Sequence, residues 1–107
     1  MKTDELIELF KDALPHGSGI NSDWNIYPSK DGKNIIAENT FDTMNEVGFY
    51  DTPVDFQLVV PIKSFKDFKL KFTGGSRSQY YARKYMLRDY LDDTFAYAFE
   101  EIQKKVI

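Results

Sequence analysis

Val54-Asp55-Phe56-Gln57-Leu58-Val59-Val60 alternates, with Val54, Phe56, Leu58 and Val60 on one face, and Pro61 closes the run. Such a strand must lay its apolar face on a second layer, so its surroundings set the architecture. Downstream, Phe68-Lys69-Leu70-Lys71-Phe72 repeats the pattern, with three apolar residues inward and two lysines outward, as suits an edge strand. Thr73-Gly74-Gly75 breaks it. Ser76 or Ser78 then opens a long helix to about Lys105, with an apolar stripe of Tyr80, Leu87, Leu91, Phe95, Ala98, Ile102 and Val106.

Upstream, Trp24–Tyr27 and Asn34–Phe41 are rich in strand formers, and Ser29-Lys30-Asp31-Gly32 between them carries the Asp-Gly hairpin signal. Asn45 to Gly48 makes a second break before Val54. At the start of the chain, Thr3 or Asp4 caps a short helix. Its Leu6, Ile7, Leu9, Phe10, Ala13 and Leu14 recur at helical spacing until Pro15 stops it. The expected fold is therefore α+β: a helix, an antiparallel three- to four-stranded meander and a long C-terminal helix. Short connections put both helices on one sheet face, in a single domain spanning residues 1–107.

The 107 residues suit one core, and nine Phe and seven Tyr help to fill it. The absence of Cys removes disulfides, thiolate metal sites and cysteine nucleophiles, and accords with a reducing, cytoplasmic setting. The acidic, amphipathic opening residues do not read as a secretory signal, and the apolar runs are too short to span a membrane.

The formal charge of −3 hides an uneven distribution. Residues 1–62 hold four Lys/Arg against eleven Asp/Glu, and residues 63–88 hold eight against one. Residues 89–107 return to two against five. These blocks either neutralise each other across the fold or form opposed surfaces.

Three groups of residues are candidates for a site. The loop from Leu14 to Trp24 holds the sole His and the sole Trp, and could present His16, Ser18, Asn21, Asp23 and Trp24 to a ligand or partner. It reads equally as a tight connection whose Trp anchors the core, since proximity in sequence does not make a triad. The second group, Lys69, Lys71, Arg77, Tyr81, Arg83, Lys84 and Arg88, mixes cations with aromatic rings as nucleic-acid surfaces do. Gly74-Gly75-Ser76 lacks the lysine spacing of a phosphate-binding loop, and the acidic whole opposes unspecific binding to nucleic acid. The third group, Met86, Tyr90 and Tyr97, falls opposite the helical stripe. These residues pack on the first helix, keep wet hydroxyls, or meet another chain, which leaves a homodimer open. One His, no Cys and no calcium-loop spacing give no expectation of a metal, another cofactor or catalytic residues.

Leu14-Pro15-His16-Gly17-Ser18-Gly19-Ile20 followed by Asp23-Trp24 resembles a segment of uncharacterised short bacteriophage and prophage proteins. Phe41…Met44-Asn45…Gly48-Phe49-Tyr50, Asp55-Phe56 and Tyr80…Arg83-Lys84-Tyr85…Leu87-Arg88-Asp89-Tyr90-Leu91 extend the resemblance over most of the chain. It brings no activity and no functional residue. It implies a mobile-element context in a host cytoplasm, where small proteins often bind and block host proteins, defence nucleases included. The expected function is a non-catalytic protein-binding module, with a host protein as partner. The alternative is a nucleic-acid-binding protein using residues 63–88.

Overall fold

The computed structural model describes residues 2–106, in which four strands and three helices follow one another. The order is α1 (Thr3–Ala13), β1 (Asn25–Pro28), β2 (Asn34–Thr43), β3 (Thr52–Pro61), a 3-10 turn (Phe65–Asp67), β4 (Lys69–Phe72), α2 (Ser76–Lys84) and α3 (Leu87–Val106). The strands form one antiparallel sheet in the order β1-β2-β3-β4, the meander that short connections favour. As expected, the fold is α+β with a long C-terminal helix.

The alternation of β3 becomes its two faces. Val54, Phe56, Leu58 and Val60 are fully buried, and across β2 they meet Phe41, Asn39, Ala37 and Ile35. Leu6 and Phe10 of α1 and Leu91, Phe95, Phe99 and Ile102 of α3 close over that face. Phe10 sets its ring edge-on to Phe65 at 5.2 Å and tilted to Phe99 at 5.6 Å, locking helix to helix through aromatic contact. Each such buried ring contributes roughly 1.5–3 kcal/mol relative to exposure. The outer face carries Tyr27, Ile36, Val59 and Lys69 in one row and Asn25, Glu38, Gln57 and Lys71 in the next.

Two local details differ from the sequence reading. The helix α1 starts after Lys2 without a side-chain cap; its first turn is favoured by Asp4 and Glu5 at the positive helix end. The segment read as one helix from Ser76 or Ser78 to Lys105 is two. Met86 takes a left-handed conformation (φ 53°), and its N–H donates to the Arg83 carbonyl, ending α2. The α3 stripe consequently runs Leu87, Leu91, Phe95, Phe99 and Ile102, with Ala98 only half-buried, while Tyr80 is exposed and Tyr81 buried on α2.

The strands β2 and β3 are each ten residues long, against four for β1 and β4. Residues 39–43 and 52–55 therefore run on as a two-stranded arm. Non-strand segments cover its flanks. On the β2 side, Asn21 N–H donates to the Thr40 carbonyl and Asp42 N–H to the Gly19 carbonyl. On the β3 side, Asp55 N–H donates to Ser78 Oγ of α2, and Thr73 N–H donates to the Asp55 carbonyl. These bonds occupy four outward backbone groups of the arm where a further strand would otherwise pair.

Candidate functional site

The arm ends in residues 44–51, a loop ordered by Asn45. Its Oδ1 accepts from the Val47 and Phe49 N–H groups at 3.0 and 3.1 Å, and its Nδ2 donates to Asp51. Asn45 N–H donates to the Phe49 carbonyl at 2.7 Å, closing the loop on itself. With its polar backbone turned inward, the loop puts apolar side chains outside. Val47 is 77% exposed, Phe49 67% and Tyr50 69%. Three large apolar residues within four positions form an apolar tip on an ordered support.

The helix α2 holds the foot of this loop. Tyr81 Oη donates to Glu46 at 3.2 Å, and Tyr85 Oη donates to the Met44 carbonyl at 2.8 Å. The two rings stack one helical turn apart, with centroids separated by 6.3 Å. Burial pushes the Tyr81 phenol above its ordinary value and Glu46 pushes it further, while Arg77 and Lys84 pull it back. Both cations lie 5.6 Å from the Tyr81 ring centre.

The basic group of the sequence reading is divided. Lys69 and Lys71 project from the outer sheet face. Arg77, Tyr81 and Lys84 share one side of α2, next to the hairpin loop. Arg83 and Arg88 line a separate concavity of about 360 Å³ with Phe72 and Met86. There Arg88 lies 5.2 Å over the Phe72 ring and donates to the Leu70 carbonyl, capping a backbone acceptor at the free edge of β4.

The loop group is built into the arm. Gly17 and Ile20 bridge each other, and Ile20 bridges Phe41 of β2. Trp24 is half-buried; its Nε1 donates to the Pro15 carbonyl, and its ring stands edge-on to Phe56 and Phe95. Asn21 Oδ1 accepts from Asp23 N–H, a local turn bond. His16, Ser18, Asn21 and Asp23 are exposed, and among the described residues no hydrogen bond links His16, Ser18 and Asp23. Trp24 thus ties the loop to the core, while His16, Ser18, Asn21 and Asp23 stand in water.

Met86, Tyr90 and Tyr97 are all exposed, Tyr90 and Tyr97 two turns apart on one side of α3. Tyr90 sets its ring against Phe41, Tyr97 borders a concavity with Pro15 and Ala13, and Met86 belongs to the Arg83–Arg88 concavity. Among the described residues, no group of three or more His, Asp or Glu side chains could hold a metal, and no helix is long and apolar enough to cross a membrane.

Sequence reasoning took residues 45–48 as a break and missed the tip. The available signal was Asn45 two and four residues before Val47 and Phe49, a spacing at which an Asn side chain can take the place of a backbone turn. Compared with known proteins, the chain matches no family model, no curated protein and no solved structure.

Proposed function

We propose that the protein is a small non-catalytic protein-binding module, encoded by a bacteriophage or prophage, that inhibits or modulates a host protein such as a component of host defence. One observation carries this reading: Val47, Phe49 and Tyr50 stand in water on a loop that is already ordered. Aromatic anchors entering a pocket dominate the energetics of many interfaces, and a preorganised loop loses little entropy on binding. The test immobilises the protein and exposes it to host lysate beside a Phe49→Ser/Tyr50→Ser variant. A near-stoichiometric partner held by the natural chain and lost by the variant is the expected result. Equal capture, or none, removes the reading.

A second reading, nucleic-acid binding through residues 63–88, is favoured by Arg77 and Lys84 against Tyr81. Labelled single- and double-stranded DNA and RNA across a salt series test it, and no binding at low salt excludes it.

A further inference from the structure

Between Lys33 and Lys63 the chain has no Lys or Arg but five carboxylates, Glu38, Asp42, Glu46, Asp51 and Asp55. Register turns three of them into a file. Glu38 pairs with Gln57, Thr40 with Asp55 and Asp42 with Pro53, so Glu38, Asp55 and Asp42 occupy three successive rows of the outer face. Rows on one face are two residues apart, about 7 Å along the strand. The file leads directly to the loop, where Glu46 and Asp51 flank Val47, Phe49 and Tyr50.

Among the described residues, no ion pair engages these five groups; the two ion pairs lie on α1 and α3. Lys71 shares the Glu38 row, two strands away on β4, and Arg77 borders Glu46 and Asp51 at the foot of the loop without pairing with either, so the file itself is Glu38, Asp55 and Asp42. Glu38 is held in place by the amides of Asn25 and Gln57 at 3.0 and 3.1 Å, neither of which neutralises it. Because Asp55 lies on β3 between Glu38 and Asp42 of β2, successive charges are diagonal neighbours about 8 Å apart, about one screening length at physiological salt, so neighbours in the file act together on whatever approaches.

The surface complementary to this arm is an apolar pocket approached through a row of cations. Single-strand nucleic-acid sites have that composition, with aromatic platforms for bases and a basic groove for the backbone. An anionic membrane also accepts aromatic side chains, but the carboxylates beside this tip oppose it. Building on the protein-binding reading above, we infer that the β2–β3 arm enters the nucleic-acid groove of its partner protein, laying its carboxylate file where phosphates run and its tip where a base stacks.

The experiment takes the partner captured on the immobilised protein and adds a thirty-nucleotide oligothymidine. A parallel capture uses an Asp42→Asn/Asp55→Asn variant, which keeps the tip and removes two charges, with circular dichroism as the fold control. The expected results are displacement by the oligonucleotide, affinity weakened about tenfold in the variant as its complementary charges are lost, and no gel shift of the oligonucleotide by the isolated protein. A partner that depends on Phe49 and Tyr50 but ignores both the oligonucleotide and the charge change overturns this inference and leaves the binding reading standing. Capture independent of Phe49 and Tyr50 overturns both. A gel shift by the isolated protein, or binding to phosphatidylglycerol vesicles, also overturns the inference.

Discussion

The Tyr85 hydroxyl donates a 2.8 Å hydrogen bond to the Met44 carbonyl, joining the end of α2 to the foot of the hairpin loop. The bond is partly exposed, so its removal costs about 0.5 kcal/mol, the low end for a hydrogen bond. Tyr85→Phe is expected to lower the urea-unfolding free energy by that amount. Amide hydrogen exchange in residues 45–50 should accelerate by more than global destabilisation explains. Unchanged exchange there would show that α2 does not steady the loop.

Asn45 holds the loop more directly, with two backbone N–H groups on one side-chain oxygen. Asn45→Ala leaves both donors to water and lets the apolar tip rearrange. Limited proteolysis is expected to cut within residues 46–50 several times faster, while the mid-point of thermal unfolding moves by only a few degrees. Partner capture should fall with it, because a floppy tip must be ordered at the moment of binding.

Gly19 and Gly17 both have left-handed backbone, at φ 104° and 90°, yet their surroundings differ. A Cβ on Gly19 would lie 2.5 Å from the Phe41 ring, whereas one on Gly17 would meet nothing within 4 Å. Gly17→Ala is expected to cost about 1 kcal/mol from backbone strain alone. For Gly19→Ala, strain and displacement of Phe41 together are expected to cost about 3 kcal/mol. Chemical denaturation of the two variants measures the difference directly.

Met86 holds the corner between α2 and α3 at φ 53°, where a side chain is strained. Met86→Gly relieves that strain against a larger entropy loss on folding, and is expected to raise stability by about 0.5 kcal/mol. Met86→Val, with a branched Cβ, should lower it by more than 1 kcal/mol. Denaturant midpoints that fall for both substitutions would show that the Met86 side chain supports the corner.

Asp31 accepts from Ser29 Oγ–H at 2.7 Å and from Lys33 N–H at 2.9 Å in the β1–β2 turn. The Ser29 bond first, then the Lys33 N–H, holds its carboxyl below the usual carboxylate range. A lowered folded-state value adds stability at neutral pH that fades as pH falls from about 4 through the folded value. The unfolding free energy of the natural protein should therefore exceed that of Asp31→Asn at pH 7, with the gap closing as pH falls from about 4 through the lowered folded value. A gap of constant size would place the effect elsewhere.

What the sequence made legible follows from whether the cause was local. The face of β3 and the turn at Asp31-Gly32 rest on alternation and a local turn signal, and both appear as read. The break at Met86 was hidden, because a left-handed helix end is normally announced by glycine and apolar spacing continues past it through Leu87 and Leu91. Charge blocks were visible along the chain. The file of Glu38, Asp55 and Asp42 was not, since it exists only once β2 and β3 take their register. Nor can composition say whether Phe49 and Tyr50 turn in or out; the Asn45 bonds decide that. The seven residues of the basic candidate lie within twenty positions of sequence but are divided between the outer sheet face (Lys69, Lys71), the side of α2 beside the hairpin loop (Arg77, Tyr81, Lys84) and the concavity at the α2–α3 corner (Arg83, Arg88).

Trp24 stands edge-on to Phe56 of β3 and Phe95 of α3, and its indole nitrogen is tied to the carbonyl of Pro15 just beyond α1. The chain's single indole is thus placed where the sheet and both core helices meet. Its fluorescence accordingly reports the core as a whole. An emission shift marks separation of layers, whereas events confined to the hairpin tip leave it dark, giving the molecule a built-in optical control for every substitution made at its far end.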